Sequence, residues 1–252
     1  MLHNFELADP FALRELIHAG VRIFSHRTTE IVAARTSGVD LERLPFGVDV
    51  PRTVKVRRID GRDWRQQPPV LVTTGFLRKH KGVRALIAAL PLLHRDFPNA
   101  RLLVQCALYP SEDSHSELEG CRQEVERLGL AQQVTLDTRF LPIEQVHELI
   151  AEADVAVLPY ESSGEGGSAT LATCLAVGLP TVVSGAAIFD ELRSVVSTVD
   201  PATPAAVAAR VSEILLSPEQ YEELVKKALE YAQRNSWTNV AALIRSTLSK
   251  RD

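Results

Sequence analysis

From residue 69 onward the sequence alternates between short apolar runs and longer segments with helical spacing, and this alternation limits the possible folds. Strands that are apolar throughout, each followed by a helix, are typical of a parallel sheet covered on both faces. The pattern therefore predicts an α/β protein with a doubly wound, Rossmann-like parallel sheet and a helical C-terminal tail. The predicted strands are residues 70–74, 100–108, 133–137, 155–158 and 180–184.

The segments between these strands predict helices at residues 83–97, 114–128, 142–153 and 170–177. Pro91 lies inside the first helix, where its missing N–H group predicts a kink or a break. Gly178 follows the fourth helix and is typical of a left-handed helix cap. The tail from residue 204 should be helical, with breaks near residues 217–218 and 235–236.

The first 50 residues do not follow this alternation. Residues 21–25 predict a strand, residues 26–36 a helix, and residues 44–49 a turn-rich exit. Because so short a piece is below the usual size of a domain, we interpret residues 1–50 as the end of another domain or as an added βα unit. Residues 51–68 are basic and polar and should form a connecting loop, and residues 69–252 should form the main domain.

The charge and the cysteines narrow the class of protein. Lys and Arg total 28 against 32 Asp and Glu, a net charge of −4, whereas nucleic-acid-binding proteins usually carry a basic excess. We therefore expect no nucleic-acid partner. The three cysteines have neither metal-binding nor disulfide spacing, and His94, His115 and His147 form no cluster, so we expect no metal and a reducing compartment.

The start of the chain lacks the features of a signal peptide, and no segment approaches the roughly 20 apolar residues that span a bilayer. We therefore expect a cytoplasmic protein. Peripheral attachment at the inner face of the membrane stays open.

Residues 159–170, PYESSGEGGSAT, join the fourth predicted strand to a helix. Ser168 is placed to cap this helix, which would leave the N–H groups of Ala169, Thr170 and Leu171 unbonded at its positive end. Such a helix start binds anions without a basic side chain. A plain strand-to-helix connection with a good cap would explain these residues equally well.

The same loop contains Gly164, Gly166 and Gly167, which would let a ligand approach the backbone closely. Glu165 would repel phosphate but suits sugar hydroxyl groups. We therefore place Glu165 beside the bound anion.

A second loop, residues 75–82 with the sequence GFLRKHKG, carries Arg78, Lys79, His80 and Lys81 just before a helix. Cations there oppose the helix dipole unless an anion is present, although a solvated basic turn is the structural alternative. Both loops follow strands, and ligands of open parallel sheets bind beyond the carboxyl ends of strands. We predict a diphosphate, with the helix amides on one phosphate and Lys81 or Arg78 on the other.

Four segments resemble motifs of the family 4 retaining glycosyltransferases, which have the GT-B fold. Residues 75–82 resemble the loop G-R-L-x-x-x-K-G, and residues 165–184 resemble E-G-F-G…E-A-x-A-x-G-x-P-V-V-x-S. Residues 44–49 are similar to I-P-N-G-V-D, and residues 236–237 are similar to the S-W that precedes the last helix. The match runs in order over nearly the whole chain. It implies the C-terminal, donor-binding half of a GT-B enzyme.

The resemblance further implies a nucleoside-diphosphate sugar as donor, UDP- or GDP-linked, a carbohydrate or other hydroxyl acceptor, and no required cofactor or metal. It also implies the following roles: Lys81, Arg78, Gly75 and Gly82 in the first diphosphate loop; Gly166, Gly167, Ser168, Ala169 and Thr170 in the second; Glu165 on donor-sugar hydroxyls; Phe140 and Leu141 near the base; and Thr173 at the ribose.

The sequence departs from the family pattern at three points. Phe76 replaces the Arg of the first loop, and Thr173 replaces the Glu that usually holds the ribose. An N-terminal acceptor half, in this chain or in a partner subunit, would have to supply the catalytic residue, since His18 and His26 do not match its position. We expect the chain alone to bind nucleotide with little or no turnover. A non-catalytic nucleotide-sugar-binding module and an epimerase of similar fold are the alternatives.

Overall fold

The computed structural model describes residues 9–19, 21–53, 56–57, 59–161 and 167–249. A small unit at the start of the chain contains α1 (Pro10–His18), β1 (Phe24–Ser25), α2 (Thr28–Thr36) and β2 (Glu42–Arg43). The other elements are β3 (Val70–Leu77), α3 (Val83–Leu93), β4 (Arg101–Leu108), α4 (Glu112–Arg127), β5 (Val134–Asp137), α5 (Ile143–Ile150), β6 (Val155–Leu158), α6 (Ala169–Ala176), β7 (Thr181–Ser184), β8 (Ser197–Val199), α7 (Pro204–Leu216), α8 (Pro218–Arg234) and α9 (Trp237–Leu248).

Six strands form one parallel sheet in the order β5-β4-β3-β6-β7-β8. The apolar side chains of α3, α4, α7 and α8 cover one face of it, and those of α5 and α6 cover the other. The predicted doubly wound α/β fold with a helical C-terminal segment is thus confirmed. The strand order reverses between β3 and β6, and this crevice is where ligands of such sheets usually bind.

Several element bounds differ from the prediction. Gly75 does not stop β3, because the strand continues to Leu77 and pairs with β4 through its last residue. Pro91 does not break α3, which ends two residues after it instead of at residue 97. Gly178 has the predicted left-handed conformation, with φ +69°.

At the opposite end of the sheet, where the strands begin, a buried carboxylate bonds to two segments of the chain. Asp154 is fully buried and accepts a hydrogen bond of 2.8 Å from the N–H of Val70. Its side chain also pairs with Arg62 and, at 3.0 Å, with Arg57. The connection before β3 is therefore fastened to the start of β6 by charge-assisted hydrogen bonds.

The small unit has its own apolar core, formed by residues of α1 and α2 and by Ile23, Val39 and Leu41, which precede β1 and β2. It meets the rest of the chain through Glu191, which lies between β7 and β8 and whose carboxylate accepts from the N–H of Thr28 at 2.7 Å and from Arg43 at 2.8 Å. Glu191 thus joins two parts of the molecule.

The connection after the small unit lies beside the segment that precedes α9. The N–H of Val48 donates to the carbonyl oxygen of Asn235 at 2.9 Å, and the N–H of Trp237 donates to that of Val48 at 3.1 Å. Arg22, at the start of β1, also contacts the carbonyl oxygen of Thr247 in α9. Within the described ranges, no helix is both long and apolar enough to cross a membrane.

Candidate functional site

A cavity of about 640 Å³ lies beyond the carboxyl ends of β3, β4 and β5 and beside the start of α6. Ten of the predicted site residues line it together, and none of the described lining residues is acidic. These ten are Gly75, Arg78, Lys81, Phe140, Leu141, Gly167, Ser168, Ala169, Thr170 and Thr173. Gly82 lies outside the lining, and Glu165 and Gly166 fall outside the described residues.

The start of α6 presents backbone N–H groups to this cavity. Ser168 caps the helix, and its hydroxyl accepts from the N–H of Leu171 at 3.1 Å. The prediction that Leu171 offers an unbonded N–H is therefore wrong, because the cap uses it. The N–H groups of Ala169 and Thr170 have no acceptor among the described residues. Two amides at the positive end of a helix dipole can thus receive an anion.

The cationic side of the cavity comes from the turn after β3. Residues Lys79–Lys81 form a short 3-10 turn, and the Nζ atom of Lys81 lies 3.9 Å from the centre of the Tyr160 ring. Burial raises the pKa of Tyr160, so this phenol stays neutral and offers its ring face to the ammonium group. The cation is thereby positioned beside the residues that directly follow β6.

Arg78 supplies a second cation. Its guanidinium group lies 5.2 Å from the centre of the Tyr109 ring, and its Nε atom is buried with no hydrogen-bond partner in the described part of the chain. A buried guanidinium nitrogen without an acceptor is unfavourable unless an acceptor arrives. Arg78 therefore offers a donor to a ligand in the cavity.

The two loops contact each other directly through positions that only glycine fits. Gly75 has φ +115°, and a Cβ atom there would lie 2.6 Å from Oγ1 of Thr170. Gly82 has φ +68°, and a Cβ atom there would lie 2.2 Å from the carbonyl oxygen of Pro159. The N–H of Glu161 also donates to the carbonyl oxygen of His80 at 2.7 Å. The cations and the start of α6 therefore line the same cavity.

Three residues near this cavity escaped the sequence analysis. Tyr109 follows β4 and lines the cavity, and Gln105 is a buried residue of β4 that also lines it. The ring of Tyr160 contacts the ammonium group of Lys81. The rule that ligands bind beyond strand ends would have found Tyr109 and Tyr160, which follow β4 and β6, whereas Gln105 is set apart only by its three-dimensional contacts.

Other singled-out residues lie elsewhere. His18 is exposed on α1, whereas His26 is buried and its Nδ1 donates to the carbonyl oxygen of Leu44 at 2.7 Å. The hydroxyl of Thr173 donates to the carbonyl oxygen of Ala169 at 3.0 Å, so it is engaged with its own helix. Trp237 is half-exposed, with its ring against Gly47.

The cysteines are buried: burial raises the pKa of the Cys106 thiol and raises those of Cys121 and Cys174 to about 12. They are therefore weak nucleophiles. Among the described residues, no group of three His, Cys, Asp or Glu side chains could hold a metal ion.

Comparison with known proteins gives a family and a set of similar folds. The family described as glycosyl transferases group 1 matches residues 57–231. A GDP-mannose-dependent alpha-(1-6)-phosphatidylinositol monomannoside mannosyltransferase of Mycolicibacterium smegmatis is 29% identical over 224 residues, which are 84% of this chain and 56% of that protein. The chain thus spans little more than half the length of this relative.

Two solved structures illustrate the fold. The sucrose-phosphate synthase of Thermosynechococcus elongatus superposes with a TM-score of 0.73 at 18% identity, over 97% of this chain and 62% of that one. Alr3699/HepE of Anabaena, solved in complex with UDP and glucose, superposes with a TM-score of 0.71 at 19% identity, over 97% of this chain and 68% of that one. Because the family match covers more than half of the chain, the protein belongs to the glycosyl transferases group 1 family.

Proposed function

We propose that this chain is the donor-binding half of a retaining glycosyltransferase, which moves a sugar from a nucleoside-diphosphate sugar to a carbohydrate or other hydroxyl acceptor. The observation that carries the proposal is the shared cavity, which Lys81, Arg78 and the start of α6 with the N–H groups of Ala169 and Thr170 line together, with no acidic residue among the described lining residues. Family membership supports the class of reaction. Retention rests on the sequence resemblance to the family 4 enzymes.

The arrangement suits the charge that develops during transfer. The bond between the anomeric carbon and the diphosphate oxygen breaks, while the acceptor oxygen bonds to that carbon and gives up its proton. The departing diphosphate gains negative charge, which Lys81 and Arg78 oppose by their own charges and the helix start by its dipole. Since these groups are held in place before the reaction, they stabilise the leaving group with little reorganisation.

The remaining roles stay predictions within this proposal. Glu165 would hold hydroxyl groups of the donor sugar, and Gly166 would allow its close approach. Leu141 would lie near the base, and Thr173 near the ribose, where its hydroxyl is already bonded within α6. The acceptor half would come from the same polypeptide or from a partner subunit, in keeping with the 56% of the mannosyltransferase that the chain spans.

A nucleotide-sugar-binding module without catalysis is the second candidate. Phe76 and Thr173 favour it, because they remove an arginine and a carboxylate that the family motif uses. The two proposals agree on binding and differ only in transfer.

Calorimetric titration with GDP, UDP and their sugars tests the shared part. We expect Lys81→Ala to weaken nucleotide binding roughly 10- to 100-fold, as for the loss of a charge-assisted hydrogen bond. Lys79→Ala is the matched control, because Lys79 belongs to the same turn but is exposed and outside the cavity lining. Equal affinity of the two variants would show that the diphosphate does not bind at this turn.

Transfer is tested with isotopically labelled nucleotide sugars and an acceptor mixture, with the acceptor half supplied where it is separate. Product whose anomeric configuration matches the donor, by NMR, supports the retaining transferase. Binding without transfer or donor hydrolysis under every condition supports the module. No nucleotide binding at all would overturn both.

A further inference from the structure

Three aromatic side chains stand at the carboxyl ends of three neighbouring strands. Phe76 lies near the end of β3, Tyr109 follows β4, and Phe140 follows β5. Their exposed fractions are 40%, 40% and 78%, and all three line the cavity that Lys81 and Arg78 also line. The cavity therefore has an aromatic wall next to its cationic side.

The rings differ in how firmly they are held. Tyr109 meets Phe76 nearly edge-on, with ring centres 5.4 Å apart at 85°, so Phe76 is supported from the side. Phe140 lies almost parallel to Phe76, at 19° with centres 6.1 Å apart, and most of its surface is open. A third planar ring between two others needs roughly 7 Å, or two contacts of about 3.5 Å. Phe140 must therefore move away from Phe76 to admit a base, and its high exposure leaves it room to do so.

Two buried polar side chains near this wall, Thr74 and Gln105, are already engaged. The hydroxyl of Thr74 donates to Oε1 of Gln105 at 2.7 Å, and Nε2 of Gln105 donates to the carbonyl oxygen of Arg139 at 3.2 Å. Four described neighbours have no polar side-chain atom: Leu141, Pro142, Ile143 and Val146. This end of the cavity therefore suits the face of a planar ligand better than its hydrogen-bonding edge.

We propose that Phe76 and Phe140 clamp the base of the nucleoside diphosphate between their rings, an inference that rests on the proposed function. Phe76 stands where the related motif has an arginine, so this chain has an aromatic ring in place of one anion-binding side chain. Every base offers a π face, so stacking tolerates different bases. The clamp selects by ring area, and purine nucleotides bind more tightly than pyrimidine nucleotides with the same diphosphate.

Calorimetry with GDP, UDP and inorganic pyrophosphate separates the base from the diphosphate. Phe140→Leu keeps an apolar side chain without a ring, and we expect it to weaken GDP binding roughly tenfold while pyrophosphate binding stays unchanged. Phe76→Leu should weaken GDP binding to a similar extent. Phe140→Trp keeps an aromatic ring and should bind GDP about as tightly as the native protein. Phe11→Leu is the control, because Phe11 is 66% exposed on α1 and does not line the cavity.

NMR gives an independent readout, because a base stacked between rings shows upfield shifts of its carbon-bound protons. We expect this shift for the H8 proton of bound GDP and its loss in Phe140→Leu. Equal weakening of GDP and pyrophosphate, unchanged GDP binding, or tighter binding of UDP than GDP would each overturn the clamp. If Lys81→Ala abolishes GDP binding while Phe140→Leu leaves it intact, only the clamp falls. If the native protein binds none of the three ligands, both the clamp and the proposed function are refuted.

Discussion

Replacing Gly82 by alanine should force the turn that carries Lys81 away from the loop that follows β6. Gly82 has φ +68°, a left-handed conformation that costs other residues about 1–2 kcal/mol. The new Cβ would also lie 2.2 Å from the carbonyl oxygen of Pro159, whereas carbon and oxygen atoms in weak contact lie about 3.3 Å or more apart. The loops must therefore separate by roughly 1 Å, at a cost typical of overpacking, about 1–3 kcal/mol. Together these effects should lower the free energy of unfolding by about 2–5 kcal/mol.

Gly129 offers a matched control, because its φ is +66° and a Cβ there would meet nothing within 4 Å. We expect Gly129→Ala to cost only the conformational part, about 1–2 kcal/mol. Urea unfolding followed by circular dichroism measures both variants. Calorimetry with GDP should show weaker binding for Gly82→Ala alone, since Lys81 precedes it. Equal losses of stability in the two variants would refute the collision and with it the close approach of the two loops.

Two further predictions concern stability. Asp154→Asn removes the buried charge shared by Arg57 and Arg62 and should lower the free energy of unfolding by about 3 kcal/mol. Glu152→Gln, in an exposed pair, is the control and should lower it by under about 1 kcal/mol. Similar urea midpoints for the two variants would contradict this prediction. Burial lowers the pKa of His147 against the opposing influence of Asp49 and Glu144, so the unfolded chain binds more protons between the lowered pKa and about pH 6.5. The free energy of unfolding should therefore rise with pH through this window and fall as pH drops. His147→Leu should flatten this rise. Parallel profiles of urea midpoint against pH, from pH 5 to 7.5, for the variant and the native protein would exclude this contribution of His147.

The sequence pattern predicts strands best where all their side chains are buried. β6 has its predicted bounds, because four consecutive apolar residues in the middle of a covered sheet leave little ambiguity. β3 is longer than predicted, since a glycine with positive φ still pairs with Cys106 of β4. β8 escaped prediction because it has only three residues, two of them hydroxylated.

The candidate site was predictable where it depends on strand ends and helix starts. Lys81 and Ser168 follow from those rules, and the structure places both on one cavity. The stack of Phe76 on Phe140 depends on the lateral order of β3, β4 and β5, which no local pattern contains. The engagement of the Leu171 N–H was predictable as well, because a capping serine accepts from the second or third N–H of its helix.

The pairing of Val48 with residues 235–237 has a mechanical consequence. The chain leaves the small unit along this line and returns along it to α9, so two adjacent peptide segments connect the ends of the molecule. Rotation of the small unit relative to the sheet would therefore have to break these two hydrogen bonds together with those of Glu191 to Thr28 and Arg43.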